Sequence, residues 1–220
     1  MLIVVKQKPL EEILEITDSQ DNLMIVGCDG CSGIYQVGGE KQAEILATLI
    51  ELSRKTRGQS AKIRHTVVLR QCDQHLVATT LHQLVSKDDV LLSLACGVGT
   101  QTVAEVFPHN LVLTGVNTLG IGGKNRDFGY FYEYCKGCGD CLLNETGGIC
   151  PFTRCAKGLM NGPCGGMLDG KCEVGNYETD CAWYLIYEKL KERGQLDLFT
   201  KFRQPRDWRV NQSPRKVDFK

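Results

Sequence analysis

Twelve cysteines stand in a chain of 220 residues, and their spacing constrains the fold more than any other feature. In an exported protein so many thiols would read as a disulfide framework. The N-terminus, MLIVVKQKPLEE, carries an apolar run too short for a signal peptide, and no stretch approaches a membrane span. The expected compartment is the reducing cytoplasm, where stable disulfides are rare and clustered thiols bind metal. Membrane insertion is not expected. Lysine plus arginine and aspartate plus glutamate balance at 26 each, so net charge gives no argument for nucleic acid or lipid as a partner.

Between the cysteines, apolar runs alternate with amphipathic stretches. A leader, residues 1–20, carries a possible strand and then a helix opened by Pro9, with Glu11 and Glu12 placed to complement the helix dipole. Residues 23–26, 66–69, 90–94 and 111–114 read as strands. Helices are expected over 40–56, with Ile45, Leu49 and Leu52 at helical spacing, and near 74–86 and 100–106. Such alternation predicts an α/β domain over 21–118, a Rossmann-like parallel sheet of about four strands with helices on both faces. Strands are expected to stop near Gly115, giving a glycine-rich linker over 119–134 and an irregular cysteine-rich segment over 135–181. A C-terminal helix and basic tail fill 182–220, with Trp183, Ile186 and Leu190 along one stripe and Gly194 as a C-cap.

Four cysteines follow closely on the expected strands: Cys28 and Cys31 after the first, Cys72 after the second, Cys96 after the third. Parallel strands end along one sheet edge, where open α/β sheets bind ligands. Four thiols would thus meet in one crevice, beside helix N-termini that favour thiolate. Gly27, Gly30, Gly33, Gly97 and Gly99 would let the backbone approach a bulky group. The lesser alternative is that Cys72 and Cys96 are ordinary buried cysteines. The run Cys96-Gly-Val-Gly-Thr-Gln also suggests a nucleotide or S-adenosylmethionine site, but it lacks the third glycine of a dinucleotide fingerprint.

The other eight thiols are Cys135, Cys138, Cys141, Cys150, Cys155, Cys164, Cys172 and Cys181. The CxxCxxC run at Cys135–Cys138–Cys141 and the Cys150-Pro151 pair partly match the ferredoxin pattern, although the gap to Cys150 is longer. Eight thiols without histidine suggest two four-thiolate sites. Zinc remains a reading for either, since structural zinc takes four cysteines; two ligands from each of two separated knuckles would be its usual source.

The stretch NGPCGGMLDGKCEV at 161–174, followed by CAWYLIYEKL at 181–190, resembles the C-terminal domain associated with methylenetetrahydrofolate reductase. With the upstream cysteines, the whole chain resembles the MetV family of small iron–sulfur subunits, which accompany a flavin-bearing reductase in acetogens and related anaerobes. The resemblance implies an electron-transfer subunit in the cytoplasm, holding two or three [4Fe–4S] clusters on all twelve cysteines, with zinc possible in place of one. FMN and the folate would sit on the partner subunit, which would reduce 5,10-methylenetetrahydrofolate to 5-methyltetrahydrofolate in one-carbon metabolism of the Wood–Ljungdahl type. Further electron-donor subunits could join the heteromer. The alternative is a zinc-binding structural adaptor of the same complex. This chain is too short to be the reductase barrel itself, which needs about 250 residues, so no catalytic residue is assigned.

His75 stands three residues after Cys72 and could ligate metal or lie on a helix surface; His65, His82 and His109 have no such neighbour. Trp183, Tyr184 and Tyr187 read as core or interface aromatics. In the tail, Lys201, Arg203, Arg206, Arg209, Arg215 and Lys216, with Phe202 and Trp208, suit either a docking arm or a solvated terminus.

Overall fold

The computed structural model describes residues 3–125 and 129–217, which fall into two compact units, Met1–Gly120 and Ile121–Lys220. Residues 1–2 of the leader, 126–128 of the glycine-rich stretch and 218–220 of the tail lie outside the described residues.

The first unit opens with β1 (Ile3–Gln7) and α1 (Leu10–Thr17), for which Pro9 is the N-cap residue. Then come β2 (Asn22–Cys28), α2 (Cys31–Ile34), α3 (Glu40–Thr56), β3 (Lys62–Val68), α4 (Gln74–Leu81), β4 (Val90–Ser93), α5 (Gly97–Val106) and β5 (Val112–Thr114). Strands β2 to β5 form a parallel sheet in the order β3-β2-β4-β5, the α/β class expected from the alternation. Side chains of a strand alternate between faces, and both faces of β2 are covered. Leu23 and Ile25 pack with Ile13, Leu46 and Ile50 of α1 and α3, whereas Met24 and Val26 pack with Val77, Leu81 and Val103 of α4 and α5. Leu92 joins the first cluster and Leu91 the second. Each such fully buried side chain contributes about 1.5–3 kcal/mol over an exposed one, so β2 and β4, apolar on both faces, take the centre of the sheet.

The face of α3 differs from the one its apolar spacing suggests. Ile45, Leu49 and Leu52 are exposed, while Ala43, Leu46, Ala47 and Ile50 are buried. Two interleaved apolar stripes run along this helix, and the small Ala43 and Ala47 allow the closer approach to the sheet.

Strands do not stop at Gly115. Strand β6 (Val116–Asn125) carries the chain into the second unit, and β7 (Tyr130–Cys135) pairs with it antiparallel from Ile121 onward. Glycine frequency masks the strand signal in β6, but Tyr130, Phe131, Tyr132 and Tyr134 are strong strand formers. Gly123 leaves room for an aromatic ring: a Cβ there would lie 2.9 Å from Tyr134 Cε2.

Beyond β7 the second unit holds α6 (Pro151–Arg154), α7 (Ala182–Glu192), α8 (Leu196–Thr200) and a 3-10 turn (Trp208–Asn211), with irregular chain between. Trp183, Ile186 and Leu190 are buried along α7 as their spacing predicts, and Gly194 follows the helix at φ +65°. Trp183 Nε1 donates to the Leu159 carbonyl at 2.9 Å, and the indole lies so close to Gly162 that a Cβ there would stand 2.3 Å from its Cδ1. Asn161 and Arg203 exchange two hydrogen bonds, of 2.8 and 2.9 Å, and Arg203 also donates to Glu145 at 2.9 Å while lying 5.6 Å from the Trp183 ring. The tail is therefore bound back onto its own unit at Arg203, which is buried. Among the described residues no helix is long and apolar enough to cross a membrane.

Candidate metal centres

The order β3-β2-β4-β5 sends the chain outward from β2 to β3 and then back across β2 to β4. The strands on either side of such a reversal part at their C-terminal ends and leave a crevice. A cavity of 390 Å³ lies there, and all four strand-end cysteines line it. Cys28 ends β2, Cys31 opens α2, Cys72 stands in the loop after β3, and Cys96 is the N-cap residue of α5. Cys28 and Cys96 are buried, Cys31 is half-buried and Cys72 exposed. The remaining wall is chiefly apolar, with Ile3, Ile34 and Val98, and Arg70 brings one positive charge. Of the five glycines near these strand ends, Gly30 and Gly99 line the cavity. Gly99 serves chain packing as well, since a Cβ would fall 2.7 Å from that of Ala95 and 2.9 Å from that of Gln71.

Burial pushes the Cys28 thiol above its ordinary range. The backbone N–H groups of Gln71 and Gly30 act against this by stabilising thiolate, while the neighbouring Cys96 and Cys72 add to the rise. Mutual repulsion among thiolates at these positions is what a positively charged group held between them would relieve. Ser32 also lines the cavity; its hydroxyl is fully buried and has no hydrogen-bond partner. An orphaned hydroxyl costs free energy unless something accepts its proton. Soft thiols, an apolar wall and a spare donor together suit a thiolate-held cluster with sulfur acceptors of its own.

Gln71 holds the three strand ends together. Its Nε2 donates to the Val26 and Gly27 carbonyls at 2.8 and 2.9 Å, and its Oε1 accepts from Ser93 Oγ at 2.7 Å. Ser93 Oγ in turn accepts from the Ala95 amide and Thr100 Oγ1. The segment before Cys72 is thus tied to the ends of β2 and β4 and to the start of α5. Neither Gln71 nor Ser32 is marked by any pattern in the chain, since their partners lie on other elements.

In the second unit, Cys135 ends β7, with its sulfur accepting from the Gly137 amide at 3.3 Å, and Cys138 Sγ accepts from Arg206 at 3.0 Å. Cys141 lines a hollow with Arg206 and Arg215. Cys150 caps α6, which is held to β7 by a hydrogen bond from Thr153 Oγ1 to the Tyr134 carbonyl. Cys155, Cys172 and Cys181 pack against the buried face of α7 around Trp183, Ile186 and Leu190. Cys164 is exposed and touches Glu173, which is paired with Lys157; that lysine holds the Glu173 carboxyl below its ordinary value. Among the described residues no three Cys, His, Asp or Glu side chains stand at the spacing of a single-ion site. His75 is exposed on α4 and does not line the cavity.

Residues 113–209 match the family model described as Methylene-tetrahydrofolate reductase C terminal. The match spans all eight cysteines of the second unit, and it ends short of the four around the cavity. No curated protein and no solved structure matches the chain.

Proposed function

We propose that this chain, related over residues 113–209 to the methylenetetrahydrofolate reductase C-terminal region, is an iron–sulfur subunit that relays electrons to the flavin of a methylenetetrahydrofolate reductase partner. The observation that carries the reading is the convergence of Cys28, Cys31, Cys72 and Cys96 on one 390 Å³ cavity at the sheet's switch point. A tetrahedral zinc ion needs only bonds of about 2.3 Å to each sulfur; a cavity of this size favours a larger thiolate-held group. A bound [4Fe–4S] cluster takes up and releases single electrons without rearranging covalent bonds.

The chain's own residues set the conditions for that exchange. Cys28 and Cys96 are buried, the Gln71 and Gly30 amides stabilise a thiolate at Cys28, and the Ser32 hydroxyl supplies a donor. In the second unit, Cys135 ends β7 and Cys150 precedes α6, while Cys155, Cys172 and Cys181 pack at α7; with Cys138, Cys141 and Cys164 these thiols would hold up to two further clusters. FMN and the folate would belong to the partner, and the subunit would work within a heteromer.

The deciding experiment is metal and sulfide analysis of anaerobically purified protein, followed by mixing the reduced chain with an FMN-containing methylenetetrahydrofolate reductase. About eight to twelve irons with matching sulfide, from four-iron clusters on these thiolates, and bleaching of the partner's flavin are expected. Zinc alone in a colourless protein would overturn the reading and leave a structural adaptor.

A further inference from the structure

Arg206 lies in the basic tail, far along the chain from the CxxCxxC run, yet its guanidinium donates through Nη1 to Cys138 Sγ at 3.0 Å. Through Nη2 it also donates to the backbone carbonyl of Asp140 and pairs with Asp140 Oδ2 at 3.0 Å. Its side chain is only 4% exposed. One aromatic ring, Phe152, stands 4.8 Å from the guanidinium carbon and another, Trp208, 5.5 Å; the two rings meet edge to face at 5.2 Å. The Nε–H is buried without an acceptor. A permanent cation is thus largely shielded from water beside two rings and shared between the Cys138 sulfur and the Asp140 backbone carbonyl and carboxylate. Guanidinium suits this position: it stays charged, stacks on aromatic faces and donates in several directions at once.

We infer that Arg206 is a positioning residue that raises the reduction potential of the group ligated by Cys138. This rests on the reading of Cys138 as a cluster ligand. Reduction adds one electron, with no bond made or broken and no proton moved, and part of the added charge is shared by the ligating sulfurs. A buried cation and a hydrogen bond to one of those sulfurs stabilise the reduced state more than the oxidised one. With its side chain only 4% exposed, the guanidinium is screened by solvent less than a surface arginine would be. Tail and cysteine run are thereby one functional device, and Phe152 and Trp208 serve it by holding the guanidinium in place.

The test compares the full chain, purified anaerobically, with Arg206→Met and Arg206→Lys. Iron and sulfide are measured first, then each sample is titrated potentiometrically and followed by electron paramagnetic resonance. Arg206→Met is expected to keep its iron and to make reduction of one cluster about tenfold less favourable, the scale of one charge-assisted hydrogen bond. For a one-electron couple that is about 59 mV more negative. Arg206→Lys, which keeps the charge but loses the planar fork, should fall between the two, and the remaining clusters should titrate unchanged. A wild-type chain without iron fails the cluster reading at the first measurement. Iron-loaded variants that titrate at the wild-type potential overturn this inference alone, and so does loss of iron from both variants, which would make the arginine structural.

Discussion

Replacing Gln71 by leucine probes the knot that holds the cavity's three strand ends together. The substitution removes two donated hydrogen bonds, to the Val26 and Gly27 carbonyls, and one accepted from Ser93 Oγ. Val26 keeps the Leu94 amide as a partner at 2.9 Å, and Ser93 Oγ still accepts from Ala95 and Thr100, so the losses fall mainly on Gly27 and on the Ser93 hydroxyl proton. At about 1 kcal/mol net for each buried bond, with little change in side-chain volume, the expected cost is about 2–4 kcal/mol. In urea, with a slope of about 2 kcal/mol per molar, the midpoint of the full chain followed by far-ultraviolet circular dichroism should fall by about 1–2 M. Gln71→Glu keeps an acceptor for Ser93 but turns oxygens toward two carbonyls inside the core, and should cost at least as much. A midpoint displaced by less than about 0.3 M, equivalent to about 0.6 kcal/mol at that slope, would refute the assignment of Gln71 as the tie between β2, β4 and the Cys72 loop.

Other consequences are as direct. Cys96→Ala should remove about a third of the iron if three equal four-iron clusters are present; full iron retention would show that Cys96 is not a ligand. In the cluster-free chain, Ser32→Ala should change stability by no more than about 0.5 kcal/mol in urea, because the hydroxyl has no partner within the protein to lose; a cost beyond about 1 kcal/mol there would reveal a bond within the chain. Gly162→Ala drives a methyl group into the Trp183 ring and should destabilise the second unit by about 1–3 kcal/mol, read from its unfolding midpoint. Hydrogen bonding from Lys201, followed by that from Arg203, holds the Glu145 carboxyl below its ordinary 4.5. A depressed carboxylate stabilises above its unfolded pKa and loses that contribution as pH falls through the folded value. Amide-exchange protection around Arg203 should therefore hold from neutral pH down to the ordinary carboxylate range and weaken below it. Glu145→Gln should flatten that dependence, and an unchanged profile in the variant would count against the tether.

Local pattern sufficed for the four parallel strands, the start and end of α3, the buried stripe of α7 and the placing of four cysteines just after three strands. These follow from side-chain periodicity and from the parallel crossover, which are properties of short stretches of chain. What pattern left open was decided by residues distant in sequence. The β3-β2-β4-β5 order depends on which strand edges bury most together, and it alone puts the crevice between β2 and β4. The buried face of α3 went to Ala43, Leu46, Ala47 and Ile50 because small residues let the helix approach the sheet, although Ile45, Leu49 and Leu52 are more apolar than the alanines. The hairpin of β6 and β7 needed its aromatic partner strand to outweigh the glycines. In the tail, arginine and aromatic enrichment suited a docking arm or a solvated terminus alike, and only the folded chain shows Arg206 packed with Phe152, Trp208 and Cys138 of its own unit. Sequence by itself thus determined the strands of the parallel sheet, the span of α3, the buried stripe of α7 and the thiols that follow the strands. Tertiary structure decided which thiols share a cavity and which charge stands on which sulfur, because those contacts are fixed by packing across the chain and leave no local periodicity to read.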